Sequence, residues 1–195
     1  MARTAVVDEE LQSARIYSDP WPYLIVDNFL EALVLDNSIA EIDDTYSFEI
    51  EKRGESQIEY SLLRSTTLWS ALYSRRTICL LSAAFGVPLA LSRDNWIQLR
   101  RMNSDSPEFP LHHDSVSAED AVVSFLYLSA GWALEYGGRL HLFKSVDDEV
   151  PVSSVAPIQN RFVAFQTKAC HWHAVEKVFG WERICALALW NAVAS

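Results

Sequence analysis

A mainly β fold, closed or double-sheeted and covered on one side by helices from its first half, is what this 195-residue sequence predicts. Three observations carry that expectation. The hydrophobic period changes about halfway along the chain, from helical spacing to short alternating runs. After Asn95 six such runs follow one another, separated by turn residues and with few helical stretches between them. Half of the residues are hydrophobic while Gly and Pro number only 6 and 7, so the chain can fill a core and lacks the composition of a disordered or collagen-like one. At about 150 residues per domain, the length fits a single domain over 1–195. Residues 1–92 read as mostly helical support and 93–195 as the β core.

Taken in order, Trp21-Pro22-Tyr23-Leu24-Ile25-Val26-Asp27 reads as a short strand leading into the first helix. From Asn28 to Asp44, Phe29, Leu30, Leu33, Val34, Ile39 and Ile42 suit one helix face, with a break or shift near Asp36-Asn37. Ser65 to Phe85 is a second helical region, carrying Leu68, Trp69, Leu72, Tyr73, Cys79, Leu80, Leu81 and Ala84. Gly86-Val87-Pro88 ends it, since Gly accepts a left-handed cap and Pro cannot continue a helix. The β runs are 95–102, 121–129, 137–143, 160–167, 173–178 and 183–191, and Asp147-Asp148-Glu149 marks an exposed loop. No internal repeat, low-complexity tract or Pro- or Ser-rich linker divides the chain.

Sixteen Lys and Arg against 26 Asp and Glu give a formal net charge of -10. That balance repels phosphate backbones and anionic lipid, which argues against nucleic acid or membrane as partners. The three cysteines, Cys79, Cys170 and Cys185, are an odd number without framework spacing, as expected in a reducing compartment. The first residues carry acids where a signal peptide needs its apolar stretch, and no apolar run approaches ~18 residues. The expectation is a cytoplasmic protein.

Candidate chemistry begins at His112-His113-Asp114. Side chains alternate across a strand, so His112 and Asp114 share one side and His113 points away. Alone, H-x-D equally describes a solvated strand end. A second strand-borne pair, His171 and His173, lies in Cys170-His171-Trp172-His173. Two imidazoles and one carboxylate form the facial triad that holds non-haem Fe(II) with open coordination positions. A closed zinc site needs a fourth ligand, and Cys170 has no C-x-x-C partner. The bland alternative for His171 and His173 is a tryptophan-stacked, hydrogen-bonded pair near the core. Arg183, at the start of an apolar strand, can hold a carboxylate in a bidentate fork. With Fe(II) and one aspartate opposite, the charges match a dianionic keto-diacid; an exposed rim arginine paired with Glu182 or Glu176 is the alternative.

Together these pieces resemble the 2-oxoglutarate and Fe(II)-dependent oxygenases, prolyl 4-hydroxylase-like branch. The resemblance runs through PWPYLIVDNFLE, the HHD segment, FLYLS, Gly137-Gly138-Arg139-Leu140-His141-Leu142-Phe143, the 157–165 strand, WHAV and Gly180-Trp181-Glu182-Arg183. It implies a double-stranded β-helix, a jelly-roll or cupin-like core, with an N-terminal helical layer. It also implies His112, Asp114 and His173 as iron ligands, His173 being preferred over His171 for its H-x-V context about ten residues before the basic residue. Arg183 and Tyr127 are implied as partners of the far carboxylate of 2-oxoglutarate, with Leu140 in the cavity wall and Trp190 as aromatic packing beside the cosubstrate. Members commonly carry a tyrosine ahead of the first histidine and then a glycine-containing turn; here Met102 stands there and the loop has no glycine. If Met102 faces inward, so do Gln98 and Arg100, and Arg100 can bind an acidic group on the substrate unless it is a surface arginine.

Function and cofactors follow from the resemblance as expectations: Fe(II), 2-oxoglutarate as cosubstrate, O2, and ascorbate as reductant. The implied reaction hydroxylates an unactivated C–H bond of an amino acid, an amino-acid-like metabolite or a peptidyl (prolyl-type) residue, releasing succinate and CO2. Halogenating relatives have a small residue in place of the carboxylate, so Asp114 points to hydroxylation. The alternatives are a non-oxidative cupin-type metal enzyme and a degenerate jelly-roll binding module; nucleic-acid demethylases share the superfamily but the acidic balance opposes them. Seven tryptophans fill either a core or a dimer interface, so a homodimer is left open.

Overall fold

The computed structural model describes residues 14–45, 47–53, 56–63, 66–91, 95–114 and 121–192. Residues 1–13, on which the reading of the amino terminus rests, lie outside these. The larger sheet consists of β1 (Arg15–Tyr17), β2 (Tyr23–Val26), β3 (Glu49–Arg53), β4 (Ser56–Leu62), β5 (Ile97–Met102), β7 (Val122–Tyr127), β10 (Phe162–Gln166) and β12 (Arg183–Trp190), in the order β1-β2-β10-β7-β12-β5-β4-β3. The smaller consists of β6 (Phe109–His112), β8 (Leu140–Phe143), β9 (Ser153–Val155) and β11 (Trp172–Val175), in the order β6-β11-β8-β9. Every pairing is antiparallel. From β5 to β12 the chain passes back and forth between the sheets, winding them into the double-stranded β-helix.

The central strands of the larger sheet are buried on both faces, which is why they read as nearly unbroken apolar runs. All six residues of β7 and all five of β10 are buried. Alternation splits them between two cores. Leu24, Val122, Leu126, Phe162, Ala164, Ala186, Ala188 and Trp190 face the helices. Tyr23, Ile25, Val123, Phe125, Tyr127, Val163, Phe165, Cys185 and Leu187 face the smaller sheet, where Leu140, Leu142 and Val155 meet them.

The first helix, α1 (Ala32–Thr45), starts later than the apolar spacing predicts and has no break at Asp36-Asn37. Asn160 explains the late start: its side-chain Oδ1 accepts from Leu30 N and its Nδ2 donates to Leu30 O, both at 2.8 Å, so residues before Ala32 are held as a loop against the sheet. The helix continues past Asp36, and Ser38, at 0% exposure within the buried stripe, satisfies its hydroxyl by donating to Val34 O at 2.7 Å. Leu33 is 71% exposed, on the opposite side from Leu35 and Ile42. The second helical region is two helices, α2 (Thr66–Leu72) and α3 (Arg75–Phe85). Ser74 separates them by accepting from Thr77 N at 3.2 Å as an N-cap. Gly86, at φ +66°, ends α3 in the left-handed cap that its sequence position predicts.

A helical first half is corrected by the hairpin β3–β4. Its strands, EIEKR and SQIEYSL, interleave charged residues and leave Ile50 61% exposed, so their local apolar signal is weak. Pairing with β5 makes the hairpin: Tyr60 lies opposite Arg100 and Glu59 opposite Arg101, whose Nε donates to Glu59 Oε2 at 2.8 Å. Strands β1, β6 and β9, of three or four residues, are likewise too short to show a period. Cys79, Cys170 and Cys185 are free thiols, and among the described residues no helix is long and apolar enough to cross a membrane.

Candidate active site

Antiparallel pairing of β6 and β11 makes His112 and His173 directly opposed residues. Their rings lie 4.2 Å apart, centroid to centroid. Asp114, two residues beyond His112, turns to the same side. Its Oδ2 is 3.4 Å from His173 Nε2 and its Oδ1 is 3.7 Å from His112 Nε2. Ligand atoms of the three residues all lie within 4.8 Å of one another, a span that one cation bridges.

Both imidazoles are turned by backbone carbonyls. His112 Nδ1 donates to Pro110 O at 2.8 Å and His173 Nδ1 to His171 O at 2.9 Å. A carbonyl only accepts, so in the neutral ring Nδ1 carries the proton and Nε2 presents a lone pair to the site. Burial, reinforced by the neighbouring His173, pushes the His112 imidazole down to about 4, which keeps it neutral near pH 7. For Asp114, burial alone would raise the carboxyl. The His173 hydrogen bond and the charges of His173, His112 and Arg100 outweigh it and hold the group below its ordinary value. The set is two imidazole Nε2 atoms and one carboxylate, a donor set that suits Fe(II) with positions left for other ligands.

His113 and His171 are not brought to this point. His113 stays out of the cluster, its ring edge-on to Trp172 at 4.6 Å. His171 stacks on Trp21 at 4.5 Å and donates Nδ1 to Gln166 O at 2.7 Å, so the tryptophan-stacked alternative describes His171 and the ligand geometry describes His173.

Arg183 lies in the same cavity, 3% exposed, its Cζ 5.0 Å from the Tyr127 ring centroid. Its Nη1 reaches only sulfur, Cys185 Sγ at 3.5 Å and Met102 Sδ at 4.0 Å. Arg183 Nε, Arg183 Nη2 and the Tyr127 hydroxyl are the only buried side-chain N/O atoms without a hydrogen-bond partner among the described residues. Three orphaned donors around a fixed positive charge fit a carboxylate. The cavity is ≈ 310 Å³ and is lined by His112, Asp114, His173 and Arg183, with Phe109, Phe125, Val175 and Leu187 as its apolar wall.

Two other expected contacts need restating. Trp190 is seven residues from Arg183 on one strand, an odd step, and therefore faces the helices. There it is fully buried, donates Nε1 to Ser124 Oγ at 2.9 Å and packs edge-on to Tyr73, so it is core filling and not a neighbour of the cosubstrate. Leu140 faces the correct core, fully buried, but is not among the residues lining the cavity. Met102 does line it, beside Arg183, and the glycine-free loop after it holds its turn through Asn103, whose Oδ1 accepts from Asp105 N at 2.9 Å and Ser106 N at 3.2 Å. Sequence reading missed Gly138: its φ of +71° is one that L side chains rarely adopt, and a Cβ there would crowd Arg183 Cδ and Val178 Cγ2 at 3.2 Å, so glycine keeps the approach to Arg183 unstrained. The Gly137-Gly138 pair was the available signal.

The sequence profile of the 2OG-Fe(II) oxygenase superfamily matches residues 97–191, which is β5 to β12. Comparison with curated protein sequences returns no match. Among solved structures, a prolyl-4-hydroxylase from Pseudomonas putida is similar over 97% of this chain and 98% of its own, with a TM-score of 0.71 and 18% identity. A prolyl hydroxylase from Trichoplax adhaerens, in complex with a hypoxia inducible factor oxygen degradation domain peptide fragment, is similar over 96% and 89%, at 0.70 and 14%. The epimerase SnoN, in complex with Fe3+, alpha ketoglutarate and nogalamycin RO, is similar over 96% and 84%, at 0.65 and 14%. At these identities the structures establish the shared fold, and the profile match over that fold's core establishes the lineage. With its His-Asp-His cluster set in that core, the chain belongs to the 2OG-Fe(II) oxygenase superfamily and is an enzyme that uses Fe(II), 2-oxoglutarate and O2.

Proposed function

We propose that this enzyme hydroxylates an unactivated C–H bond of an amino acid, an amino-acid-like metabolite or a peptidyl, prolyl-type residue, with release of succinate and CO2. In this reading His112, Asp114 and His173 hold the iron, while Arg183 and Tyr127 hold the far carboxylate of 2-oxoglutarate. The observation that carries it is the pair of orphaned nitrogens on Arg183, which lines the cavity that holds the triad, with the unpartnered Tyr127 hydroxyl on the ring beside that guanidinium. When bound, iron and cosubstrate supply O2 activation and the oxidising power for the C–H bond.

The protein's own contribution is placement. Arg183 offers a charge fixed at any physiological pH, and the Tyr127 hydroxyl stays protonated because burial pushes its pKa up, so it donates and does not repel a carboxylate. The carbonyls of Pro110 and His171 hold both Nδ1 atoms and so turn both Nε2 atoms to the side that Asp114 faces. Apolar walls from Phe109, Phe125, Val175 and Leu187 exclude water around the reacting bond. A cavity of ≈ 310 Å³ suits a small molecule or one inserted side chain. The Trichoplax enzyme with its peptide fragment and SnoN with nogalamycin RO illustrate both substrate kinds on this fold. Cytoplasmic location and support by ascorbate belong to the same proposal.

The test is an anaerobic titration with Fe(II) and then 2-oxoglutarate, followed by admission of O2 and a screen for substrate-stimulated succinate. Arg183→Ala is expected to weaken 2-oxoglutarate binding much more than Fe(II) binding. Comparable losses in both titrations contradict the assigned role.

A further inference from the structure

Cys185 is a nucleophile in the cavity wall that the proposed function leaves without a task. It lies two positions after Arg183 on β12, so both side chains face the space between the sheets, and both line the cavity. The residue is 1% exposed, so a reagent reaches its thiol through that cavity. In cross-strand register Cys185 stands opposite Tyr127 on β7, and Arg183 opposite Met102 on β5. Residues two apart on one strand face are separated by about 7 Å, yet the long Arg183 side chain reaches along β12 until its Nη1 is 3.5 Å from Cys185 Sγ. The other two cysteines are set differently: Cys170 is exposed, Cys79 is half-buried on α3, and both stand apart from the cavity lining.

What distinguishes this thiol is the guanidinium beside it. Arg183 is 3% exposed, and its Nε and Nη2 have no hydrogen-bond partner. Those two N–H groups share one edge of the planar fork and are spaced to meet both oxygens of a carboxylate. Its Nη1 meets only sulfur, Cys185 Sγ and Met102 Sδ, so among the described residues no carboxylate competes for the charge. A small acid docked on the free edge therefore brings its first carbons toward a nucleophile held by the same guanidinium.

Resting on the proposed role of Arg183 as a carboxylate partner, we infer that Cys185 is a covalent modification site for small carboxylic acids that carry an electrophilic carbon within two bonds of the carboxyl carbon, and that its modification closes the cosubstrate subsite. Arg183 docks the carboxylate, and the Cys185 sulfur forms a C–S bond to the electrophilic carbon. In a halo acid the carbon–halogen bond breaks, the halide leaves with the electron pair and the thiol proton passes to water. In an α,β-unsaturated acid the C=C π bond breaks and the proton ends on the carbon next to the carboxylate. Neither route needs an oxidant or a reductant. The tethered carboxylate then stays on Arg183, in the place that 2-oxoglutarate needs.

The experiment treats the full chain, loaded with Fe(II) and kept anaerobic, with iodoacetate or with its neutral counterpart iodoacetamide, and reads the labelling rate of each cysteine by peptide mass spectrometry. Exposed Cys170 is the internal reference. The acid-to-amide rate ratio at Cys185 is expected to exceed that at Cys170 by about tenfold or more, because only the acid makes the charge-assisted pair. Saturating 2-oxoglutarate is expected to slow iodoacetate at Cys185 by about tenfold or more and to leave Cys170 unchanged. Treated wild type is expected to lose 2-oxoglutarate binding, whereas Cys185→Ala, labelled at its other cysteines under the same treatment, keeps it. Arg183→Met is expected to bring the ratio at Cys185 down to that at Cys170. An unlabelled Cys185, a ratio there no higher than at Cys170, labelling that 2-oxoglutarate does not slow, or 2-oxoglutarate binding that survives a fully labelled Cys185 each overturns the inference. The comparison of acid with amide needs no variant and stands even where a variant fails to fold. Failure of the untreated wild type to bind 2-oxoglutarate anaerobically is a different outcome and removes the proposed function itself, and this inference with it.

Discussion

The two faces of the larger sheet treat buried polar groups in opposite ways. Against the helices, Trp190 Nε1 is met by Ser124 Oγ, and the Tyr73 hydroxyl lies 2.8 and 2.9 Å from the carbonyls of Trp96 and Leu189. Among the described residues no buried side-chain N or O atom on that face lacks a partner. Against the smaller sheet, Tyr127 and Arg183 leave three donors unmet. Strands β7 and β12 contribute to both sets, Ser124 and Trp190 on one face and Tyr127 and Arg183 on the other, so secondary structure does not account for the difference. An unmet buried donor costs about 1–3 kcal/mol, more when charged, and a fold keeps that cost where a ligand repays it. One face is built to hold the protein together, and the other to hold something else.

The largest expected effect breaks the binding face at its centre. Asp114→Ala is expected to lower product formation by at least about three orders of magnitude, since it removes the only anion among the three converging residues. His113→Ala and His171→Ala are expected to retain measurable turnover, because those rings pack on Trp172 and Trp21 outside the triad. Product assays on folded variants decide this, and an inactive His171→Ala alongside an active His173→Ala reassigns the second imidazole.

Next comes the opposite face. Trp190→Ala empties a fully buried site and leaves Ser124 unpartnered, so unfolding free energy in urea is expected to fall by about 3–5 kcal/mol. The affinity of the folded fraction for 2-oxoglutarate is expected to stay near wild type. A selective loss of that affinity with stability intact would return Trp190 to the cosubstrate.

A third substitution sharpens the contrast by reversing the sign. Arg183→Met removes an incompletely paired buried charge and sets an apolar chain beside Met102 and Cys185. The unliganded protein is expected to melt at a higher temperature, while 2-oxoglutarate binds about 100-fold more weakly and no longer raises the melting temperature. A lower melting temperature for the unliganded variant shows that Arg183 is satisfied by the protein itself.

Much of this contrast is legible in the sequence, and its gaps have physical causes. Strands β7, β10 and β12 announce themselves because burial on both faces forces nearly continuous apolar runs, and the inward direction of His112 and Asp114 follows from alternation alone. The same rule, applied from Arg183 along β12, puts Trp190 on the helix side, against what the family likeness implies. His171 and His173 differ by two positions and share parity, so alternation does not tell them apart; the register that sets His173 opposite His112 and the stacking of His171 on Trp21, both long-range, do. The hairpin β3–β4 was illegible for a different reason: its apolar content is low and its register is borrowed from β5. The start of α1 was misplaced because Asn160, far along the chain, decides it. Long-range pairing is what a local period cannot carry.

The smallest effect tests what a satisfied ion pair contributes when it sits at the edge of either face. Asp27 follows β2 and receives Arg161 Nε at 2.6 Å and Nη2 at 3.2 Å, with Arg15 Nη2 at 3.1 Å. The Arg161 hydrogen bond is the main reason its carboxyl is held below the usual range, against a smaller upward push from burial. A lowered folded-state value means that the unfolded chain binds the proton more readily. The stabilisation is therefore complete above the unfolded value of about 4 and is lost as pH falls through the folded value. Asp27 is 30% exposed, so solvent screening holds the expected cost of Asp27→Asn to about 1 kcal/mol at pH 7. Urea unfolding of both proteins at pH 7, 5, 4 and 3 checks the sign, because the depressed carboxyls of Asp114 and Glu176 are common to both and cancel. The gap between wild type and variant is expected to be constant from pH 7 to about 5 and to narrow below about 4; a gap unchanged at pH 3 assigns the effect to lost hydrogen-bond geometry and not to charge.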